Sequence, residues 1–153
     1  MDRHVDDTDK ELLNRIQSDF PIESRPYLRI AEELGLEEPD VIDRVHKLKS
    51  DGIIRRIGGN FSPEKLGYVS TLCAVRVPES RVAEFASSVN EFSGVTHNYL
   101  RDNPFNVWFT FIAPSNEDID RNLEQISQRT GIIEILNLPA TRVYKIKAHF
   151  NLK

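Results

Sequence analysis

The sequence predicts an α+β protein: an N-terminal winged helix-turn-helix, residues 1–62, followed by a ferredoxin-like βαββαβ domain with an extra C-terminal strand, residues 63–153. Three observations carry this. Three short segments with helical apolar spacing occupy the first fifty residues, and Gly35 and Gly52 punctuate the second and third. A β-branched run with a Gly-Gly turn, Ile53 to Phe61, then reads as a wing. After Pro63, strand and helix patterns alternate in the order strand, helix, strand, strand, helix, strand.

The first helix is expected over Asp6–Gln17. Thr8 and Glu11 form a capping-box pattern, and Leu12, Leu13 and Ile16 form the apolar stripe. Ser24–Leu34 is the second, with Pro26 in the first turn, where its missing N–H costs little. Pro39–Ser50 is the third, with Val41, Ile42, Val45 and Leu48 on one side. Ile53–Ile57 and Asn60–Phe61 are expected to pair as the wing. Val69–Val77 is a strand, and Glu79–Asn90 a helix buried through Val82, Phe85, Ala86 and Val89. Val95–Arg101 and Phe105–Ala113 are two strands joined at Asp102-Asn103-Pro104, a turn signal. Ser115 caps a helix to about Arg129, Ile132–Leu138 is a strand, and Arg142–Phe150 is the added one.

Composition narrows the function classes. Hydrophobic content of 39% with 29% charged residues is that of a soluble globular protein, and no apolar run approaches the roughly 20 residues of a membrane span. The acidic start, MDRHVDDTDKELL, has no apolar h-region, so a cytoplasmic location and no membrane partner are expected. The single cysteine, Cys73, lies in an apolar run and reads as a buried small side chain rather than a zinc or disulfide ligand. No GxGxxG, P-loop or CxxC motif is present.

Net charge is −4, and residues 1–62 hold all of it, with 10 Lys+Arg against 14 Asp+Glu. In a helix-turn-helix the third helix approaches the bases. Here it opens with Glu37, Glu38 and Asp40, with Asp43 one turn on. DNA affinity comes largely from Lys and Arg neutralising phosphates. Four carboxylates at that end oppose it, so specific duplex binding is not expected.

The strands flanking Asp102-Asn103-Pro104 carry the chemistry. Alternation places His97, Tyr99 and Arg101 on one face. If Val107, Phe109 and Phe111 face the core, then Asn106, Trp108 and Thr110 face the other way. In-register pairing would gather a titratable imidazole, a carboxylate-binding guanidinium and two flat aromatic surfaces. That set suits a flat, anionic ligand that needs a proton moved.

The architecture, with "DDTDKELLNRIQ" and "VIDRVHKLKSDGIIRR", resembles the Lrp/AsnC transcriptional regulators. A narrower resemblance rests on "FPIESRPYLRIAEELG", "GIIRRIGGNFSPEKLGY", "GVTHNYLRDNPFNVWFTF" and "ILNLPATRVYKIKAHF", which look like the sirohaem decarboxylases of alternative haem and haem d1 biosynthesis. That resemblance implies a carboxy-lyase removing two acetate carboxyls of sirohaem, at C12 and C18, as carbon dioxide. It also implies a heterodimer of paralogous subunits, this chain being one. The alternatives are an Lrp/AsnC-type regulator and a non-catalytic haem sensor.

Sirohaem is a planar iron macrocycle with eight carboxylates, so apolar walls and a few cations should hold it. Arg55, Arg56, Arg101 and Lys145 are the candidate cations, and Tyr99 and Trp108 the candidate walls. The carbon that loses carboxylate must be protonated, which suits a histidine acid, and His97 is the candidate. Iron ligation and a structural role stay open for His97, as do packing roles for Tyr99 and Trp108 and solvated roles for the cations. The reaction is redox-neutral, so no cofactor is expected; the iron enters with the substrate. His4, His46 and His149 read as surface or terminal residues.

Overall fold

A computed structural model of the protein describes residues 5–59, 61–145 and 150–152. The chain divides into two compact units: Met1–Gly59 with Lys145–Lys153, and Asn60–Tyr144. The chain end therefore belongs with the first unit.

The first unit holds α1 (Asp7–Ser18), α2 (Pro26–Leu34) and α3 (Glu38–Ser50). Leu12, Ile30, Val41, Val45, Leu48 and Ile54 form its core. The N-cap of α1 lies two residues before the expected one, Thr8. Asp6 is the N-cap, its carboxylate accepting from the Asp9 N–H at 2.7 Å, while the Asp9 side chain takes the Asp6 N–H in return. Two capping patterns overlap here, and the carboxylate one prevails because Asp caps better than Thr. Thr8 falls inside the first turn.

The wing strands are not formed in the described residues. The N–H groups of Ile53 and Ile54 both donate to the Leu48 carbonyl, at 2.9 and 3.0 Å, closing the end of α3. Ile54 also enters the helical core. Backbone donors used there cannot serve a strand ladder.

The C-terminal strand is likewise absent from the described part of Arg142–Phe150; residues 146–149 of that expected strand lie outside the described residues. Side-chain amides of α1 take the chain end instead. Asn14 and Gln17 donate to the Leu152 and Phe150 carbonyls and accept from their N–H groups. His46 is exposed as expected, and His4 and His149 lie outside the described residues.

Ion pairs knit this unit. Arg44 of α3 binds Asp6 at 2.8 Å and Asp9 at 2.7 Å, and Arg15 binds Glu33. Hydrogen bonds from Arg44 and Arg15 hold the Asp6 and Glu33 carboxyls, respectively, below their usual range. Folding thus weakens proton binding by both groups. Their stabilisation is complete above the unfolded values and is lost as pH falls through the lower folded ones. Arg44→Met should therefore lower the denaturant midpoint at pH 7, and the gap from the unaltered chain should narrow below about pH 4. A gap constant from pH 7 to pH 3 would contradict this.

The second unit holds β1 (Val69–Val75), α4 (Val82–Asn90), β2 (Val95–Leu100), β3 (Val107–Ala113), α5 (Asn116–Thr130) and β4 (Ile135–Pro139). The sheet is antiparallel throughout, in the order β2-β3-β1-β4. This is the expected ferredoxin-like arrangement. Cys73, Val75, Val107, Phe109 and Phe111 share one face and pack with Phe85, Val89, Ile119, Leu123 and Ile126 of the two helices. The Cys73 thiol is buried there, and burial pushes its pKa up to about 12. Ser115 caps α5 as expected, accepting from the Asp118 N–H at 3.1 Å.

Among the described residues, the opposite sheet face carries no helix of this unit. Leu72, Leu136 and Leu138 are exposed on it, toward the β4 edge.

Gly94 sets the entry into β2. Its carbonyl accepts from the Ile112 N–H at 2.8 Å. A Cβ there would meet the Ile112 carbonyl oxygen and the Phe111 ring, each at 2.5 Å. Gly94→Ala should cost about 1–3 kcal/mol, the usual range for overpacking. Gly58→Ala, with nothing within 4 Å, should cost far less. Equal denaturant midpoints for the two variants would refute the close packing at Gly94.

Candidate functional site

The β2–β3 hairpin closes where the Arg101 N–H donates to the Asn106 carbonyl at 2.7 Å. Inside the connection the Asn103 side chain accepts from the Phe105 N–H at 3.1 Å, a local turn bond that Asn favours. Tyr99 pairs with Trp108 and His97 with Thr110. Both pairs lie on the face opposite Phe109 and Phe111, which are in the core.

A β-bulge makes this possible. Val95 pairs with Phe111, but His97 pairs with Thr110, so Thr96 is an extra residue in the ladder. Simple alternation gives Val95 and His97 one face. The bulge instead leaves Val95 packed on the core and turns His97 to the open side.

The cluster is tight. The His97 and Tyr99 rings stack with centroids 6.0 Å apart and planes inclined by 23°. The Arg101 guanidinium stands 5.4 Å from the centre of the Trp108 ring. Trp108 is half-buried, and its indole N–H donates to the Phe105 carbonyl at 2.6 Å, which fixes the ring plane. His97 Nδ1 lies 3.1 Å from Thr96 Oγ1, and Nε2 has no hydrogen-bond partner among the described residues. His97, Tyr99 and Arg101 are exposed. The sequence expectation that these four share a face is met.

Asn106 departs from it. Its side-chain amide accepts from the Val77 N–H at 2.9 Å and donates to the Val77 carbonyl at 2.8 Å. It ties the exit of β1 to the hairpin instead of facing outward beside Trp108. Arg76, just before that tie, was not singled out in the sequence. Its guanidinium lies 5.2 Å from the centre of the Phe105 ring. The available signal was the alternation Leu72, Ala74, Arg76 along a strand neighbouring β3.

Arg55, Arg56 and Lys145 are exposed and fall in the first unit, whereas the hairpin cluster falls in the second. The cluster is an open surface. A cleft of about 670 Å³ elsewhere in the second unit is lined by Tyr68, Gly94, Thr96, Gln125 and Arg129, among others, and by none of the four.

The cluster can seat a flat anionic molecule. Aromatic faces offer apolar contact, the guanidinium offers a fork for a carboxylate, and the imidazole can carry a proton.

Comparisons with known proteins identify the family. Residues 65–145 match the AsnC-like ligand binding domain, and residues 9–55 match the siroheme decarboxylase NirDL-like HTH domain. The chain is 51% identical to the siroheme decarboxylase alpha subunit of Oleidesulfovibrio alaskensis, over 99% of this chain and 92% of that one. It is 49% identical to the alpha subunit of Desulfovibrio desulfuricans, over 97% and 85%. Among solved structures, siroheme decarboxylase NirDL in complex with an iron-uroporphyrin III analogue superposes with a TM-score of 0.66 at 33% identity. The match covers 94% of this chain and 47% of NirDL, so the chain spans about half of NirDL's length. With near-complete matches at about half identity, the chain belongs to the sirohaem decarboxylase family.

Proposed function

We propose that the chain is one subunit of a carboxy-lyase that converts sirohaem to 12,18-didecarboxysirohaem, releasing two acetate carboxyls as carbon dioxide. The observation that carries this is the His97, Tyr99, Arg101 and Trp108 cluster on an open sheet face. The macrocycle lies against Tyr99 and Trp108, and Arg101 holds a carboxylate that stays. Loss of carbon dioxide from an acetate breaks the bond between carboxyl and methylene carbons. The electron pair left on the methylene carbon delocalises into the ring, and a proton from the His97 imidazolium converts that carbon to a methyl group. Electrons balance without an external acceptor, so no cofactor is needed beyond the iron that sirohaem brings. Arg55, Arg56 and Lys145, in the first unit, stay proposed as carboxylate-binding cations, and all three are exposed.

A planar ligand on an open face has one side uncovered. The exposed Leu72, Leu136 and Leu138 on the same face supply an apolar surface for a second subunit to cover it. We infer that this subunit is a paralogue, consistent with relatives named as alpha, NirD and NirG subunits. A cytoplasmic location remains part of this proposal; among the described residues no helix is long and apolar enough to cross a membrane.

Regulation through DNA is disfavoured by α3. Glu37, Glu38, Asp40 and Asp43 crowd its start, Glu38 pairs with Arg25, and Arg44 is committed to Asp6 and Asp9. The protein should give no sequence-selective shift of duplex DNA at physiological salt; a nanomolar, selective complex would support the regulator instead.

The test of the function is anaerobic incubation with sirohaem, alone and with the paralogue, followed by mass analysis. Loss of two carboxyls supports the enzyme. Tight binding with the eight carboxyls intact supports a sensor.

A further inference from the structure

The arginines of the second unit fall into two groups. Arg81, Arg121 and Arg129 each pair with a carboxylate: Glu84 at 3.1 Å, Asp118 at 2.8 Å and Glu91 at 3.4 Å, and Arg129 also stands 5.0 Å from the centre of the Phe92 ring. Arg76, Arg101 and Arg142 have no acidic partner among the described residues, and each stands over an aromatic ring. A guanidinium placed over a ring is oriented by it and keeps its N–H edges free for a planar anion.

Two of these three share one construction. Ala74 pairs with Trp108 across β1 and β3, and Arg76 lies one residue past the end of β1, where continued alternation would give it the side of Ala74. Phe105, beneath Arg76, accepts through its carbonyl the indole N–H of Trp108, the ring beneath Arg101. The two cation–ring pairs are therefore joined by one hydrogen bond. The segment bearing Arg76 is also clamped, since Asn106 binds both backbone groups of Val77. A surface arginine kept only for solubility needs no such support.

We propose that Arg76 is a second carboxylate-binding residue of the sheet face, acting beside Arg101, and that Asn106 is its positioning residue. This rests on the reading of the face as a tetrapyrrole site. A macrocycle with eight carboxylates calls for more than one fork, and Arg76 supplies one from the segment that follows β1. The pair also bears on specificity, because the polycarboxylate gains two charge-assisted contacts that a ligand with fewer carboxylates cannot fully use.

The test uses the full chain with its paralogous partner, titrated anaerobically with iron uroporphyrin III and followed by visible absorption. Arg76→Met keeps the aliphatic stem against Phe105 and removes the charge; Arg76→Lys keeps the charge and loses the fork. Arg121→Met, on α5, removes one positive charge from the helical side and sets the baseline. Arg76→Met should weaken binding about tenfold or more, Arg76→Lys should recover part of it, and Arg121→Met should change little. In turnover, KM should rise more than kcat falls, as for a group that binds ground and transition states alike. Asn106→Ala should weaken binding in the same direction but less, with the remaining penalty of Arg76→Met reduced in its presence. Arg76→Met binding as well as the unaltered protein, or no better separated from it than Arg121→Met, would overturn the Arg76 assignment alone. Absence of binding by the unaltered complex would overturn it together with the tetrapyrrole reading.

Discussion

Replacing His97 by alanine should slow decarboxylation by roughly 10²–10⁴-fold, the usual worth of a general acid, while sirohaem binding falls much less. The geometry fits a proton donor. The bulge at Thr96 turns the imidazole out of the core, Nδ1 is engaged by the Thr96 hydroxyl, and Tyr99 supports the ring face. As imidazolium the ring donates through both nitrogens, so Nδ1 can bond Thr96 while Nε2 presents its proton outward. A macrocycle and a partner surface above it exclude water and strengthen these interactions. Single-turnover mass analysis separates the rate from the binding. If His97→Ala turns over normally in a complex whose partner lacks an equivalent histidine, the proton comes from elsewhere and His97 is structural or an iron contact.

Replacing Arg101 by alanine should do the reverse, weakening sirohaem binding about tenfold or more and slowing the bound complex less. Its guanidinium is placed by Trp108, whose own plane is locked by the bond to the Phe105 carbonyl. Arg101→Lys should rescue only part of the affinity, because an ammonium offers neither the fork nor the flat stacking surface. Absorption titrations of the three proteins decide this. Unchanged affinity in Arg101→Ala would remove the residue from the site.

The face was legible because alternation is a strong signal where one side is apolar. Val107, Phe109 and Phe111 are buried as their spacing requires, which forces Trp108 and Thr110 outward. The same rule explains what was missed. Val95 and His97 stand two apart and look like neighbours on one face, yet they point opposite ways because Thr96 adds a residue that no local spacing reveals. Arg76 sat at the end of an apolar run read as continuous strand through Val77, and its importance appears only once β1 lies beside β3. Ile53 and Ile54 have strand-forming side chains, but burial in the helical core and the Leu48 carbonyl outweigh that preference. "VYKIKAHF" alternates as an edge strand does. Asn14 and Gln17, whose amides take the chain end, lie more than a hundred residues away and carry no mark of that role.

Central to the account is that two acetate carboxyls leave as carbon dioxide and that each carbon left behind takes a proton. Anaerobic turnover of sirohaem in heavy water, by this chain with its paralogous partner, measures both events at once. The account predicts a product lacking two carboxyls and carrying one solvent deuterium in each of the two new methyl groups, with that product formed far more slowly by His97→Ala. A product that keeps all eight carboxyls, or one whose new methyl groups contain no solvent deuterium, would contradict it.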